Sequence, residues 1–165
     1  MAELLKIISP VDGRIYVERP YATDVEITKA LSIAANAQLA WGEISISERK
    51  NICLKAVDAL VNKQTVISDE ITLQIGRPIK YTPGEVNGFA ERARYMIDIA
   101  EHKIADIHIK AQTGFTQFIK RNPVGVVFTI APWNYPYLTA VNSIIPAIMA
   151  GNVVIMKPSS QTPLT

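Results

Sequence analysis

The stretch Asn122-Pro123-Val124-Gly125-Val126-Val127-Phe128-Thr129-Ile130-Ala131-Pro132-Trp133-Asn134-Tyr135-Pro136 decides the fold. From Val124 to Ile130 it is apolar at nearly every position, the pattern of a strand covered on both faces, and that pattern favours a parallel sheet. Tyr137 to Met149 then has helical character, with a kink expected near Pro146. Gly151-Asn152 ends the helix, and Val153-Val154-Ile155-Met156 is a second fully apolar strand. Strand, helix and strand at this spacing form a βαβ unit, whose crossover is right-handed. The predicted class is therefore α/β.

Between Asn122 and Met156 there is no charged residue, a run long enough to cross a bilayer if it were one helix. Pro123, Pro132, Pro136 and Pro146 exclude that, because each interior proline removes a backbone hydrogen bond that lipid cannot replace. The run is expected to be a buried part of an α/β core, and no membrane partner is expected.

Upstream, Leu4 to Ile8 and Arg14 to Val17 read as short strands around the turn Ser9-Pro10-Val11-Asp12-Gly13. Four helices are predicted next. Thr23-Asp24-Val25-Glu26 has capping-box spacing, with Val25, Thr28, Leu31, Ser32 and Ala35 forming the inward face. A second helix opens at a capping Ser47 and carries Ile52, Cys53, Ala56, Val57, Leu60 and Val61 on its apolar face. A third runs from about Val66 to Ile75 and stops at Gly76-Arg77-Pro78. A fourth opens at Pro83 and turns Val86, Phe89, Ala93, Met96, Ile97 and Ala100 inward. On that helix Glu85, Glu91, Asp98 and Glu101 alternate with Arg92, Arg94 and Lys103, the pattern of a solvated face. From Ile107 to Lys120 alternation around Thr113-Gly114 predicts a hairpin.

Among the 165 residues, 17 Lys and Arg stand against 15 Asp and Glu, and a net charge of +2 without a basic stripe argues against nucleic-acid binding. One cysteine, Cys53, allows neither an internal disulfide nor a thiolate-rich zinc site. With no signal-peptide core in MAELLKIISP, the expected compartment is cytoplasmic. His102 and His108 lack partners at metal spacing, so no metal is predicted.

Ligands of open α/β sheets collect outside the carboxyl ends of the strands. The two strands here end in Ala131-Pro132-Trp133-Asn134-Tyr135-Pro136 and Lys157-Pro158-Ser159-Ser160, and the right-handed crossover brings both loops to one edge. Together they offer an amide, an indole, an ammonium and hydroxyls, suited to a ligand with a sugar or phosphate. A solvated lysine and loop-shaping prolines explain the same residues without a ligand.

The run from Asn122-Pro123-Val124-Gly125 through Ala131-Pro132-Trp133-Asn134-Tyr135-Pro136, followed by Pro146-Ala147-Ile148-Met149-Ala150-Gly151-Asn152 and Lys157-Pro158-Ser159-Ser160-Gln161-Thr162-Pro163, resembles the aldehyde dehydrogenase superfamily. The upstream helices and hairpin look like that family's N-terminal portion, so the resemblance covers essentially the whole chain. It implies the N-terminal helices, hairpin and first βαβ unit of a doubly wound NAD(P)-binding domain, with an incomplete sheet. The implied division is residues 1–105, strands and helices of the cofactor domain; 106–122, a hairpin that helps to join subunits of a homo-oligomer; and 123–165, the start of the dinucleotide-binding core.

The activity implied is oxidation of an aldehyde to a carboxylic acid, through a cysteine thiohemiacetal and thioester, with hydride passing to NAD(P)+. In that scheme Asn134 matches the asparagine whose amide donates to the oxyanion. Ile130, Ala131, Pro132, Trp133, Lys157, Ser159 and Ser160 fall at cofactor-binding positions, Lys157 on the adenosine ribose hydroxyls. Many family members carry a glutamate where Ser160 stands. A carboxylate there repels a 2′-phosphate and a hydroxyl can donate to one, so Ser160 leans the expectation towards NADP over NAD. Gly-x-Gly-x-x-Gly is absent, in keeping with the family's atypical nucleotide site. The family's nucleophile and general base belong to later segments, and Cys53, with nothing nearby expected to lower its pKa, reads as a core thiol. The chain is thus expected to be a fragment of a longer enzyme. The alternative is an inactive truncated product that serves as a nucleotide-binding or subunit-interaction module.

Overall fold

A computed structural model describes residues 3–110 and 112–165; Met1, Ala2 and Ala111, the last inside the predicted hairpin, lie outside the described residues. β1 (Leu4–Ile8) and β2 (Ile15–Pro20) pair antiparallel around the turn, where Gly13 takes φ 74°. α1 (Asp24–Glu43) begins with the expected capping box: Thr23 Oγ1 accepts from the Glu26 amide at 3.3 Å, and Glu26 Oε2 accepts from the Thr23 amide at 2.8 Å. Its predicted inward face is not covered. No α1 residue is buried, and Val25 remains 77% exposed. Capping is a local matter and covering a face is a tertiary one. α1 docks through its last turns, where Trp41 Nε1 donates to the Ile148 carbonyl at 2.9 Å and Gln38 Nε2 to that of Gly151 at 3.3 Å.

α2 (Ile46–Val61) is capped by Ser45 rather than Ser47. Ser45 is extended at ψ 151° and its Oγ accepts from the Glu48 amide at 3.2 Å, whereas Ser47 already lies inside the first turn. α3 (Gln64–Ile75) stops at Gly76, whose φ of 72° suits only glycine comfortably. A short 3-10 turn at Ile79–Tyr81 leads into α4 (Pro83–Ile104), with Pro83 in the first turn. The main core joins Cys53 and Val57 of α2, Phe89, Ala93 and Ile97 of α4, and Val141, Ile145 and Met149 from the helix that follows. A Cβ on Gly88 would lie 2.8 Å from Leu138 Cδ1, so α4 and that helix approach closely at this point.

The hairpin forms as β3 (Ile107–His108) against β4 (Phe118–Ile119), antiparallel but only two residues long on each side. The βαβ unit follows as β5 (Val126–Ile130), α5 (Pro136–Met149) and β6 (Val153–Lys157), with β5 and β6 parallel and Val126 opposite Val153. α5 runs through Pro146 to Met149. Thr129 and Ser143 hydroxyls bond at 2.7 Å and tie the helix to β5. Buried Asn152 closes the unit: its Oδ1 accepts from the Val124 and Gly125 amides at 2.7 and 2.9 Å, while Nδ2 donates to the Ala147 carbonyl at 3.1 Å.

One expectation fails at β5, which is not covered on both faces. Thr129 is buried under α5, but Phe128 and Ile130, on the opposite face, are 62% and 65% exposed. Apolar composition records what a strand can bury and does not supply the covering layer. At the far end of α5 the buried guanidinium of Arg49 packs on Gly151, where φ is 86° and a Cβ would collide with Arg49 Nη1. No carboxylate pairs with Arg49 among the described residues. None of the described helices is long and apolar enough to cross a membrane.

Candidate active site

Parallel register places Ile130 opposite Lys157, and the Ala131 amide donates to the Lys157 carbonyl at 3.1 Å. The loops after β5 and β6 therefore leave on one edge of the sheet, as the topology predicts. At that edge Ile130 is exposed, Ala131 is buried and Pro132 half-buried, while Lys157 and Ser160 face solvent. Lys157 Nζ donates only to the Pro158 carbonyl, at 3.1 Å, and has no ion pair among the described residues. Ser159 Oγ accepts from the Gln161 amide at 3.2 Å and shapes the turn. An apolar side chain beside an unpaired ammonium and two hydroxyls fits a polyhydroxylated or phosphorylated ligand such as a nucleotide ribose.

Trp133, 50% exposed, lines a cavity of about 510 Å³ that runs between the first hairpin and the loop after β6, with Lys6, Ile8, Gln74 and Gln161 among the other walls. Next to it, Asn134 is exposed at the start of α5. Its Oδ1 accepts from the Tyr135 amide at 3.1 Å, and Nδ2 has no acceptor among the described residues. The amide oxygen is thereby fixed to the backbone and its N–H groups stay available to a ligand oxygen.

What holds this turn was not read from the sequence. Glu85, placed by its charge pattern on a solvated face, is instead fully buried, and its carboxylate pairs with Arg77. Oε1 also accepts from the Tyr137 amide at 2.9 Å and the Leu138 amide at 3.5 Å. Arg77, read only as part of a helix stop, donates to the Asn134 carbonyl and lies 4.2 Å above the centroid of the Tyr135 ring. One signal for Glu85 was present: it precedes buried Phe89 by four residues, which puts it on the covered face of α4. Tyr137, beside this pair, has its phenol pushed up to about 12, first by burial and then by Glu70 and Glu85.

Cys53 is 4% exposed in the α2–α4–α5 core. Burial raises its thiol pKa above the usual range. Arg49, one turn earlier, does pull it down, contrary to the expectation that nothing nearby would, but burial outweighs that pull. His108 packs on Phe118 with ring centroids 5.8 Å apart, and no three candidate metal ligands converge among the described residues.

An anchored amide beside a ribose-suited edge occurs here in a fold shared with known enzymes. The profile of the aldehyde dehydrogenase family matches residues 2–165. An acetaldehyde dehydrogenase of Pseudomonas aeruginosa is 36% identical over 160 residues, covering 94% of this chain and 31% of that protein. A D-glyceraldehyde dehydrogenase (NADP(+)) of Picrophilus torridus is 28% identical, covering 99% of this chain and 33% of its own length. The solved structure of PnpE in complex with nicotinamide adenine dinucleotide superposes with a TM-score of 0.90 at 31% identity, over 98% of this chain and 33% of that one. The chain thus spans about a third of the length of the proteins it matches. With the profile matched across nearly every residue and the backbone shared, the chain belongs to the aldehyde dehydrogenase family.

Proposed function

We propose that these residues supply the oxyanion donor and the ribose end of the cofactor site of an NAD(P)+-dependent aldehyde dehydrogenase, which oxidises an aldehyde to a carboxylic acid. The observation that carries the reading is the Asn134 amide, with its oxygen anchored by Tyr135 and its nitrogen unused, in the loop that follows β5, whose last residue, Ile130, lies opposite Lys157. When a thiolate attacks an aldehyde carbonyl, negative charge collects on the oxygen. A neutral amide can donate to it without a titrating proton, and one such donor is worth about 3 to 4 kcal/mol of barrier. Bound NAD(P)+ supplies the hydride acceptor. Lys157 would bond the adenosine ribose hydroxyls and Ile130 would cover the apolar face. Ala131, Pro132, Trp133 and Ser159 would shape the surrounding walls, and the Ser160 hydroxyl would donate to a 2′-phosphate, which favours NADP+. Residues 106–122 would join subunits of a cytoplasmic homo-oligomer, between a cofactor-domain segment at 1–105 and the dinucleotide core from 123.

Cys53 is the only cysteine in the sequence and is sealed in the core, so on this reading the nucleophile would come from outside residues 1–165. The same observation favours a second reading for the chain alone, a non-catalytic nucleotide-binding or subunit-interaction module. Substituting Asn134→Ala in the complete enzyme is expected to lower kcat by roughly a hundredfold or more, with cofactor affinity nearly unchanged. Undiminished turnover would refute the oxyanion assignment. Saturable NADP+ binding by the 165-residue chain, without turnover, would favour the module.

A further inference from the structure

We infer that Arg77 and Glu85 are positioning residues that set the Asn134 amide for its task; this rests on the oxyanion reading above. α5 starts without help from its own sequence. Tyr135 gives no side-chain cap, Pro136 has no N–H, and the first turn holds no acid. The missing acceptor arrives from α4: the buried Glu85 carboxylate takes the Tyr137 and Leu138 amides with one oxygen and Arg77 with the other.

Arg77 then uses a second nitrogen on the Asn134 carbonyl and lays its guanidinium over the Tyr135 ring. The turn that bears Asn134 is therefore held at its carbonyl, at the next ring and at the first free amides of the helix. A planar fork can make the first two contacts and the ion pair together, which a lysine cannot. Beside the turn lies a cavity of about 320 Å³ bounded by Arg77, Tyr81, Glu85, Tyr135 and Leu138. That space gives the turn somewhere to move once Arg77 lets go, and a shift of about 1 Å at a reacting group can cost about a hundredfold in rate.

The test compares Arg77→Met, Arg77→Lys and Asn134→Ala in the complete enzyme. Arg77→Met is expected to lower kcat roughly 10- to 100-fold while KM for the cofactor stays within about twofold, and Arg77→Lys to recover part of the loss. Hydrogen exchange at the Tyr137 and Leu138 amides should quicken in Glu85→Ala by more than at the Val57 and Ile97 amides, and should not quicken in Asn134→Ala. If Asn134→Ala is slow while Arg77→Met turns over as the parent does, the positioning role is overturned and the oxyanion reading stands. If Asn134→Ala itself turns over normally, the oxyanion reading falls and takes this inference with it.

Discussion

The two loops at the carboxyl edge of β5 and β6 are held in opposite ways. The Asn134 turn is braced by residues far away in sequence, with Arg77 on its carbonyl and Glu85 on the helix amides that follow. The loop after β6 relies at its start on neighbours: Lys157 Nζ on Pro158, the Gln161 amide on Ser159 Oγ, and the Thr162 amide on the Ser159 carbonyl at 3.0 Å. The contrast suits the two duties proposed for these loops. A donor to a developing charge gains from being fixed before reaction, whereas a grip on ribose hydroxyls tolerates adjustment.

The contrast breaks first, if it breaks, at Glu85. Replacing it with alanine removes the acceptor of the α5 amides and strands the partly buried Arg77, which should cost about 3 to 5 kcal/mol in urea unfolding. A loss below about 1 kcal/mol would mean that the turn does not depend on its brace.

Tyr137 sharpens the comparison next, because it opens the braced helix and its ring packs edge-on to Phe89 at 6.4 Å. Its folded-state pKa lies above the ordinary value of 10.0, at about 12, so the folded chain keeps a proton that the unfolded chain gives up. The resulting stability is present in full below pH 10 and declines as pH rises towards 12. Tyr137→Phe should flatten that alkaline decline in thermal melts while changing little at pH 7, and an unchanged slope would remove Tyr137 as its source.

The smallest expected effect belongs to the locally held loop. Ser160→Glu should move the melting curve by less than about 0.5 kcal/mol, since the side chain is exposed. Cofactor preference should shift from NADP+ towards NAD+ in the complete enzyme. A rise in relative NADP+ efficiency would contradict the assignment of Ser160 to the 2′ position.

The same distinction explains what could be read from the sequence. The Thr23–Glu26 capping box, the Gly76 stop, the Pro83 start and the parallel pair all depend on residues close in the chain or on one short helical crossover. They were legible. Ser45 was displaced by Ser47 because two serines two apart both offer a cap and only backbone conformation separates them. Glu85 was misplaced because its partners at Tyr137 and Leu138 lie more than fifty residues away, and a charge pattern carries no record of a distant amide. Exposure at Val25, Phe128 and Ile130 shows the converse, apolar positions for which local pattern does not provide a covering layer. At the site, the shared edge of Ile130 and Lys157 follows from topology, while the hold on Asn134 depends on backbone conformation and on Arg77, neither of which a motif records.

α5 has no acid in its first turn and no base in its last, yet it is not electrically unattended. Glu85 lies at its amino end and the buried Arg49 against Gly151 just past its carboxyl end, each opposite in sign to the partial charge that an α-helix develops there. The helix is seated like a bar magnet between two poles contributed by α4 and α2. Reversing its direction would turn carbonyls towards the Glu85 oxygen and amides towards Arg49, so this pair of residues encodes a polarity that the uncharged sequence of α5 does not carry itself.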